Sequence, residues 1–420
     1  MNLFKLSWKY LTFRPLSTGL NVFLLALGLA IITVLLLIQD QFEKKMNQDA
    51  AGIDLVVGAK GSPLQLILAG VYHIDFPTGN IPMDEAQKLS RNRLVKNIIP
   101  MALGDNYQGF RIVGTNHDYP ALYEAKMQSG VLWAKPFEVV LGAEVAIKSG
   151  YQVGDEFLGS HGISVGSHEH DANKFKVVGV LERKGNVLDR LILTSVESIW
   201  YTHDEGGAEP ADSTANHEEH PMINLQDSVA VKGFPKTIES RDLTTILIQY
   251  RNPMAAIQLP RLINSGTSMQ AASPSFEMSR LFELLGVGIT LLQGLAVVII
   301  GISGLGIFIA LYNSLKERKY DLAILRAIGA SRGQLLLLIF LEGIMLTFMG
   351  AVLGILLGHT FLSVIISQNE QGVVGSLQPW IFLKQELWIV VYALTVGVLA
   401  SIIPAFAAYQ TSIAKQLTKA

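Results

Sequence analysis

Cysteine is absent from all 420 residues. That absence removes disulfides, thiolate metal sites and thiol nucleophiles together, so any extracytoplasmic part of the chain is held by its own core. Charge is also scarce: 16% of residues are Asp, Glu, Lys or Arg and 50% are hydrophobic, whereas a soluble domain carries about a quarter charged residues. The chain is therefore at least partly a membrane protein. A net charge of −2, with no basic stripe interleaved with aromatics, gives no field for nucleic acid. The sequence also lacks G-x-x-x-x-G-K-[ST], G-x-S-x-G and H-E-x-x-H. It neither cradles a nucleotide phosphate nor presents a hydrolase or zincin constellation.

What is present is a set of long apolar runs. Residues 16–38 carry no charge and are long enough to span a bilayer. Lys5, Lys9 and Arg14 precede them, with Trp8, Tyr10 and Phe13 between, as in a secretory n-region. The run is too long for a signal peptide, however, and no small-x-small site follows at Gln39-Asp40-Gln41-Phe42, which reads as an uncleaved anchor. Three further runs lie at 284–315, 335–367 and 387–413. The 284–315 run is uncharged for 32 residues, about 48 Å of helix against a hydrocarbon core of roughly 30 Å, so part of it projects as a stalk. Three Lys/Arg precede the first run, five lie in 316–332, and Lys415 and Lys419 follow the last, while 368–385 has only Lys384. The positive-inside bias then puts both termini and the 316–332 loop in the cytoplasm and residues 40–280 outside.

Between the first and second runs the pattern changes. Short β-rich runs at 137–141, 175–181, 191–194, 228–231 and 244–250 alternate with mixed helical stretches at 83–91 and 253–263, which predicts an α+β module. Six of the nine histidines fall within 161–220: His161, His168, His170, His203, His217 and His220. Residues 203–220 add six acids and no Lys or Arg. Imidazole with carboxylate suits zinc and, less well, nickel or copper. The competing reading is a solvated polar loop whose histidines merely titrate. His217-Glu218-Glu219-His220 is one residue too short for two ligands at i and i+4 on one helical face.

In the third apolar run Gly350, Gly354 and Gly358 recur every four residues, with Gly343 one position off that register. Such a stripe admits another helix closely, either within the chain or in a homodimer. Glu342 and His359 are ionisable residues inside the same run, and such groups are functional candidates.

The charged island from Glu317 to Arg332 separates the second and third runs. Its sequence, Glu317-Arg318-Lys319-Tyr320-Asp321-Leu322-Ala323-Ile324-Leu325-Arg326-Ala327-Ile328-Gly329-Ala330-Ser331, closely resembles the signature E-R-x-x-E-I-x-x-L-R-A-I-G-A-S of the FtsX/MacB-like (type VII) permeases of ABC transporters. Pro404-Ala405-Phe406-Ala407-Ala408-Tyr409 is similar to that family's P-A-x-x-A-x ending, and Val139-Val140-Leu141-Gly142 through Val180-Leu181 resembles its periplasmic core. Asp321 stands where the family often has Glu, and Ser412-Ile413-Ala414-Lys415 lacks the usual proline and arginine. The His/acid segment is no part of the family pattern.

The resemblance implies an α-helical membrane domain of four transmembrane helices plus an α+β extracytoplasmic domain inserted between the first and second. Residues 1–39 form an N-terminal cytoplasmic helix and the first span, and 40–280 the periplasmic core domain with its insertion at 161–220. Residues 281–315 form the second span with its stalk, 316–333 the cytoplasmic coupling helix, 334–367 the third span, 368–385 an extracytoplasmic loop, and 386–420 the fourth span and tail. The implied chain is a non-catalytic permease subunit, a homodimer that recruits an ABC ATPase dimer and passes ATP-driven motion to its outer domain for export or extraction of a substrate. Glu317, Arg318, Asp321 and Arg326 are then the coupling contacts, and Gly329 ends the coupling helix. ATP acts through the partner and no cofactor is bound directly, with zinc on the His segment and a periplasmic or lipoprotein partner as further expectations. The alternative is an ATP-powered regulator that switches an external hydrolase without transporting anything.

Overall fold

The computed structural model describes residues 2–161, 174–205, 229–236, 241–368 and 377–410. Two compact units emerge: Met1–Phe42 with Glu283–Ala420, and Glu43–Phe282. The chain opens with α1 (Leu3–Phe13) and α2 (Pro15–Asp49). Pro15 disfavours helical geometry at the residue before it, and Arg14 takes φ −126°, ψ 70°, so one helix stops and the next starts on a proline at its first turn.

The second unit follows, with β1 (Leu55–Ala59), α3 (Pro63–Gly70), β2 (Ile81–Pro82), α4 (Met83–Ser90), β3 (Val95–Tyr107), β4 (Phe110–Thr115), α5 (Asp118–Leu122), β5 (Met127–Gly130), β6 (Glu138–Leu141) and α6 (Ala143–Ser149). It continues through β7 (Glu156–Phe157), β8 (Ser160–His161), β9 (Phe175–Leu181), a 3₁₀ turn at Val187–Arg190, β10 (Leu191–Ser195), α7 (Val196–Glu205), β11 (Asp242–Leu243), β12 (Thr245–Tyr250), α8 (Ala255–Gly266) and β13 (Met269–Ala272). The remaining helices are α9 (Pro274–Glu317), α10 (Lys319–Ala327), α11 (Arg332–Gln368) and α12 (Glu386–Tyr409).

Among the described residues eleven strands make one mixed sheet, in the order β13-β1-β12-β3-β4-β10-β6-β9-β5 with β7 on β9 and β8 on β3. The pairs β4/β10 and β6/β9 are parallel and the others antiparallel. Leu55, Val57, Ile112, Val139, Val177, Ile192, Ile246 and Ile248 build the core of this α+β unit, each buried side chain contributing about 1.5–3 kcal/mol by leaving water. The runs expected at 137–141, 175–181, 191–194 and 244–250 become β6, β9, β10 and β12. The run expected at 228–231 forms no strand in its described part: Ala230 N–H donates to the Glu197 carboxylate at 2.9 Å and Val231 C=O accepts from His117 N–H at 3.0 Å. The single insertion expected at 161–220 is corrected as well, because β9, β10 and α7 lie inside it and their apolar residues are in the core.

Among the described residues four helices, α2, α9, α11 and α12, are long and apolar enough to cross a membrane. The first exceeds its expected run because Asp40 to Asp49 contains neither Gly nor Pro, so the helix continues until Gly52 turns the chain at φ 79°. The second begins earlier than expected, at Pro274, and is 44 residues long. The expectation of helix beyond the bilayer thickness is therefore exceeded, at about 66 Å.

The glycine stripe of α11 is a seam within the chain. A Cβ on Gly354 would lie 2.8 Å from Leu29 Cβ and 2.9 Å from the Ala26 carbonyl, and one on Gly358 would lie 2.8 Å from Thr33 Cβ. Gly350 faces Leu25 in the same way. Thus α2 fills the stripe, which leaves no room there for a second copy. Gly343, off the stripe's register, serves a different neighbour: its Cβ would meet Gly397 O and Ser401 Cβ of α12, both at 3.0 Å.

Candidate coupling site

The island between the second and third apolar helices folds as a helix with defined ends. Gly329 adopts φ 107°, its N–H donates to Arg326 C=O at 3.1 Å, and Ala330 N–H donates to Leu325 C=O at 3.0 Å. This pair of bonds closes a helix on a left-handed glycine. Ser331 then caps α11: its Oγ accepts from Gln334 N–H at 3.2 Å while Gln334 Oε1 accepts from Ser331 N–H at 2.8 Å, a reciprocal capping box. The expectation that Gly329 ends the helix thus has a direct counterpart in the geometry.

Helix α10 has two faces. Leu322 and Ala323 are buried, with Leu322 in a cluster with Leu315, Leu335, Leu338, Ile339, Ala405 and Ala408. Tyr320, Asp321, Ile324 and Ile328 are exposed, Ile328 to 78%. Such a mixed acidic and apolar face suits a protein groove better than water.

The five expected coupling residues do not all lie on one exposed surface. Asp321 and Gly329 are exposed, Arg326 is half-buried, and Glu317 is exposed but forms an ion pair with Arg14. Arg318 corrects its expectation most: it turns inward, with its Nη1 donating to Glu342 Oε1 at 3.2 Å and its guanidinium 4.0 Å from the Tyr10 ring centroid. The side chains of Arg318 and Glu342 are 14% and 2% exposed. Burial raises the Tyr10 phenol above its ordinary value, against the opposing effect of the Arg318 charge. A cavity of about 230 Å³ adjoins this pair, lined by Tyr10, Arg14, Asn21, Ser314, Arg318 and Glu342 among others.

His359, the other intramembrane candidate, lies near the end of α11. Its Nδ1 is 2.6 Å from Pro379 O, its Nε2 is 3.2 Å from Glu386 Oε2, and the ring packs against Trp380 and Phe382. Glu386 Oε1 in turn accepts from Leu383 N–H at 3.0 Å. These bonds order the segment leading into α12, and sequence alone did not indicate Glu386 as the partner.

A second polar cluster lies inside the Glu43–Phe282 unit, where the last turns of α2 are gripped. Asp49 is fully buried; its Oδ2 accepts from Arg190 Nη2 at 3.1 Å, and Oδ1 lies 3.5 Å from Lys45 Nζ. Tyr123 O–H donates to Asp49 C=O at 2.5 Å, Tyr72 O–H to Met46 C=O at 3.2 Å, and Lys45 Nζ to Gly185 C=O at 2.6 Å. Behind them His73 Nε2 is 3.0 Å from Tyr119 Oη. Burial, with the Arg111 and Arg190 charges, pushes the His73 imidazole down to about 3, so it is neutral. None of these residues was singled out in the sequence, since each is an isolated polar residue among ordinary neighbours.

The histidine segment offers less. His161 sits on β8, whose backbone pairs with β3, and His203 on α7, whereas His168, His170, His217 and His220 lie outside the described residues. Among the described residues no group of three or more His, Asp or Glu is placed to hold a metal.

Two families match the sequence: FtsX-like permease C-terminal over residues 294–413, and MacB-like periplasmic core domain over residues 18–250. A pyoverdine export ATP-binding/permease protein, PvdT, of Pseudomonas savastanoi pv. phaseolicola is 23% identical over 367 residues, 84% of this chain and 50% of that protein. An uncharacterized ABC transporter permease of Methanocaldococcus jannaschii is 22% identical over 233 residues, 55% of this chain and 52% of that one. The chain thus spans about half the length of the curated relatives it matches. Among solved structures, the periplasmic region of MacB from Actinobacillus actinomycetemcomitans aligns with 13% identity and a TM-score of 0.33, covering 56% of this chain and 97% of that one. The extracellular domain of the Gram-positive ABC-type transporter YknZ aligns with 13% identity and a TM-score of 0.30, covering 53% and 99%. Carrying the periplasmic core family over more than half its length and the FtsX-like family after it, the chain belongs to the FtsX/MacB-like permeases of ABC transporters.

Proposed function

We propose that this permease passes motion driven by ATP hydrolysis, supplied by an ATPase outside these 420 residues, to an extracytoplasmic domain inserted between its first and second spans. The observation that carries the reading is the wiring of the mixed sheet. Helix α2 leads after a short turn into β1, β13 leads through Ser273 alone into α9, and β1 and β13 are hydrogen-bonded neighbours. A displacement of either helix therefore reaches the same edge of the sheet, and the Asp49 cluster grips one of the two levers. The coupling face is Asp321 and Ile324 of α10 with Ile328, which caps its C-terminal end. The Lys/Arg distribution supports an inner-membrane topology with both termini and α10 cytoplasmic.

The family assignment supports a second permease subunit. Helix α9 supplies the most open face for it, because only 28% of its most apolar stretch is buried and a methyl group on Gly286, Gly288, Gly294 or Gly301 would have no neighbour within 4 Å.

The reading is tested on the full chain purified from its native membrane, by measuring ATP hydrolysis in the copurifying complex. Ile328→Asp puts a second acid on the coupling face and is expected to lower that hydrolysis about tenfold or more with the inserted amount unchanged. A wild-type preparation that carries no ATP hydrolysis sinks the proposal.

A further inference from the structure

We infer that Glu342 is a positioning residue that fixes the direction of α10 through Arg318. The inference goes beyond the proposed function and rests on it only for the consequence that α10 couples to an ATPase. Arg318 is the one residue between α9, which ends at Glu317, and α10, which begins at Lys319. Its backbone, at φ −98°, ψ 13°, leaves the helical path, and no side-chain bond caps α10 there. Backbone bonds continue through the joint, from Arg318 N–H to Ser314 C=O at 3.1 Å and from Leu322 N–H to Arg318 C=O at 3.0 Å, so the direction α10 takes from it is set by the packing of Leu322 and by what the Arg318 side chain binds. That side chain reaches Glu342 at 3.2 Å and lies over Tyr10 of α1 at 4.0 Å, so α11 and α1 hold it from two sides.

A second joint braces the first. Arg14, the one residue between α1 and α2, pairs with Glu317, and both arginines line the same cavity of about 230 Å³. An exposed ion pair is worth little. Here Glu342 is buried and Arg318 is largely covered, so removing Arg318 leaves a buried carboxylate without its partner, which costs more than the pair's net worth. Arginine cannot shed its charge. Without Glu342, Arg318 has the adjoining cavity as its route to water, and α10 turns with it.

The absence of cysteine makes the test direct. Nitroxide labels on Ile328→Cys and Val352→Cys, both exposed positions, report the distance from the end of α10 to the body of α11 in the purified full chain. The starting pair is expected to give one narrow distance, and Glu342→Gln to broaden or shift it. Arg318→Gln breaks the same pair from the other side and leaves no unpaired arginine, so it carries the test where Glu342→Gln fails to fold. An unchanged distance distribution in the folded variants overturns the inference, whatever ATP hydrolysis does. If the distribution changes and hydrolysis in the complex falls about tenfold, with the double variant no worse than either single one, the residues act as one unit in coupling. A changed distribution with unaltered hydrolysis leaves Glu342's hold on α10 standing and removes α10 from the coupling role.

Discussion

At the residue scale, the charged positions divide by what the chain does with them, and sequence reveals the charge but not its direction. Gly329 was legible because a helix followed by Gly and then Ser is a local signal, answered by bonds spanning at most five residues. Arg318 was not, because its partners Glu342 and Tyr10 are brought to it by helix packing, and a basic residue at a membrane edge reads equally well as solvated. His73 shows the same limit in the other unit. It is 6% exposed, stands at φ 55°, and is neutral because burial and two arginines hold its imidazole down to about 3 against an ordinary 6.5. The unfolded chain takes up a proton below about pH 6.5 that the folded unit refuses. Stability is therefore complete above that pH and falls as pH drops toward 3, by about 1.4 kcal/mol per unit. Carboxylates titrate in the same range, so this slope is read as the difference between the full chain and its His73 variant, by denaturation between pH 7 and pH 4. His73→Asn, which tolerates positive φ, should flatten it, and an identical slope in the variant would contradict the assignment.

At the element scale, short strands dominated by β-branched and apolar residues were legible and strands broken by several polar residues or proline were not. β9, Phe-Lys-Val-Val-Gly-Val-Leu, and β10, Leu-Ile-Leu-Thr-Ser, announce themselves. β3 lies at the centre of the sheet, yet carries Lys96, Asn97 and Pro100, and these break the alternation that marks a strand. β1 is short and contains Gly58, where a Cβ would come within 2.5 Å of Leu66 Cδ1; close packing of α3, rather than a turn, explains that glycine. The period of Gly350, Gly354 and Gly358 was readable, but its partner was not, since period alone does not distinguish a neighbour in the same chain from one in another. Gly354→Ala is expected to be the harshest methyl addition of the three. It meets the Ala26 carbonyl as well as Leu29 Cβ, whereas Gly350→Ala meets only the Leu25 side chain. A loss of about 1–3 kcal/mol should appear as a lower thermal midpoint in detergent, larger for Gly354→Ala than for Gly350→Ala. An unchanged midpoint in both variants would mean that α2 does not fill the stripe.

At the scale of the whole molecule, the division at Phe42 and Glu283 was nearly legible, because charge density changes there. The extension of both flanking helices past their apolar runs was less so, since helix can persist in polar sequence without a hydrophobic signal. The proposed topology makes a plain prediction. In intact cells an impermeant maleimide should label Ile257→Cys, exposed on α8, and should label Ile328→Cys only after the membrane is opened. Labelling of both in intact cells would refute it.

The pairing of β1 with β13 carries a mechanical consequence. Val56 lies opposite Ala272 and Ala59 opposite Met269, so the two helices attach at the same end of one antiparallel ladder. Forces that move both helices together load the ladder as a single body. Forces that spread them peel it from that end, one rung after another, instead of shearing all rungs at once. The domain is thus stiff to a common pull and compliant to a parting one, the response of a clothes peg rather than of a rope.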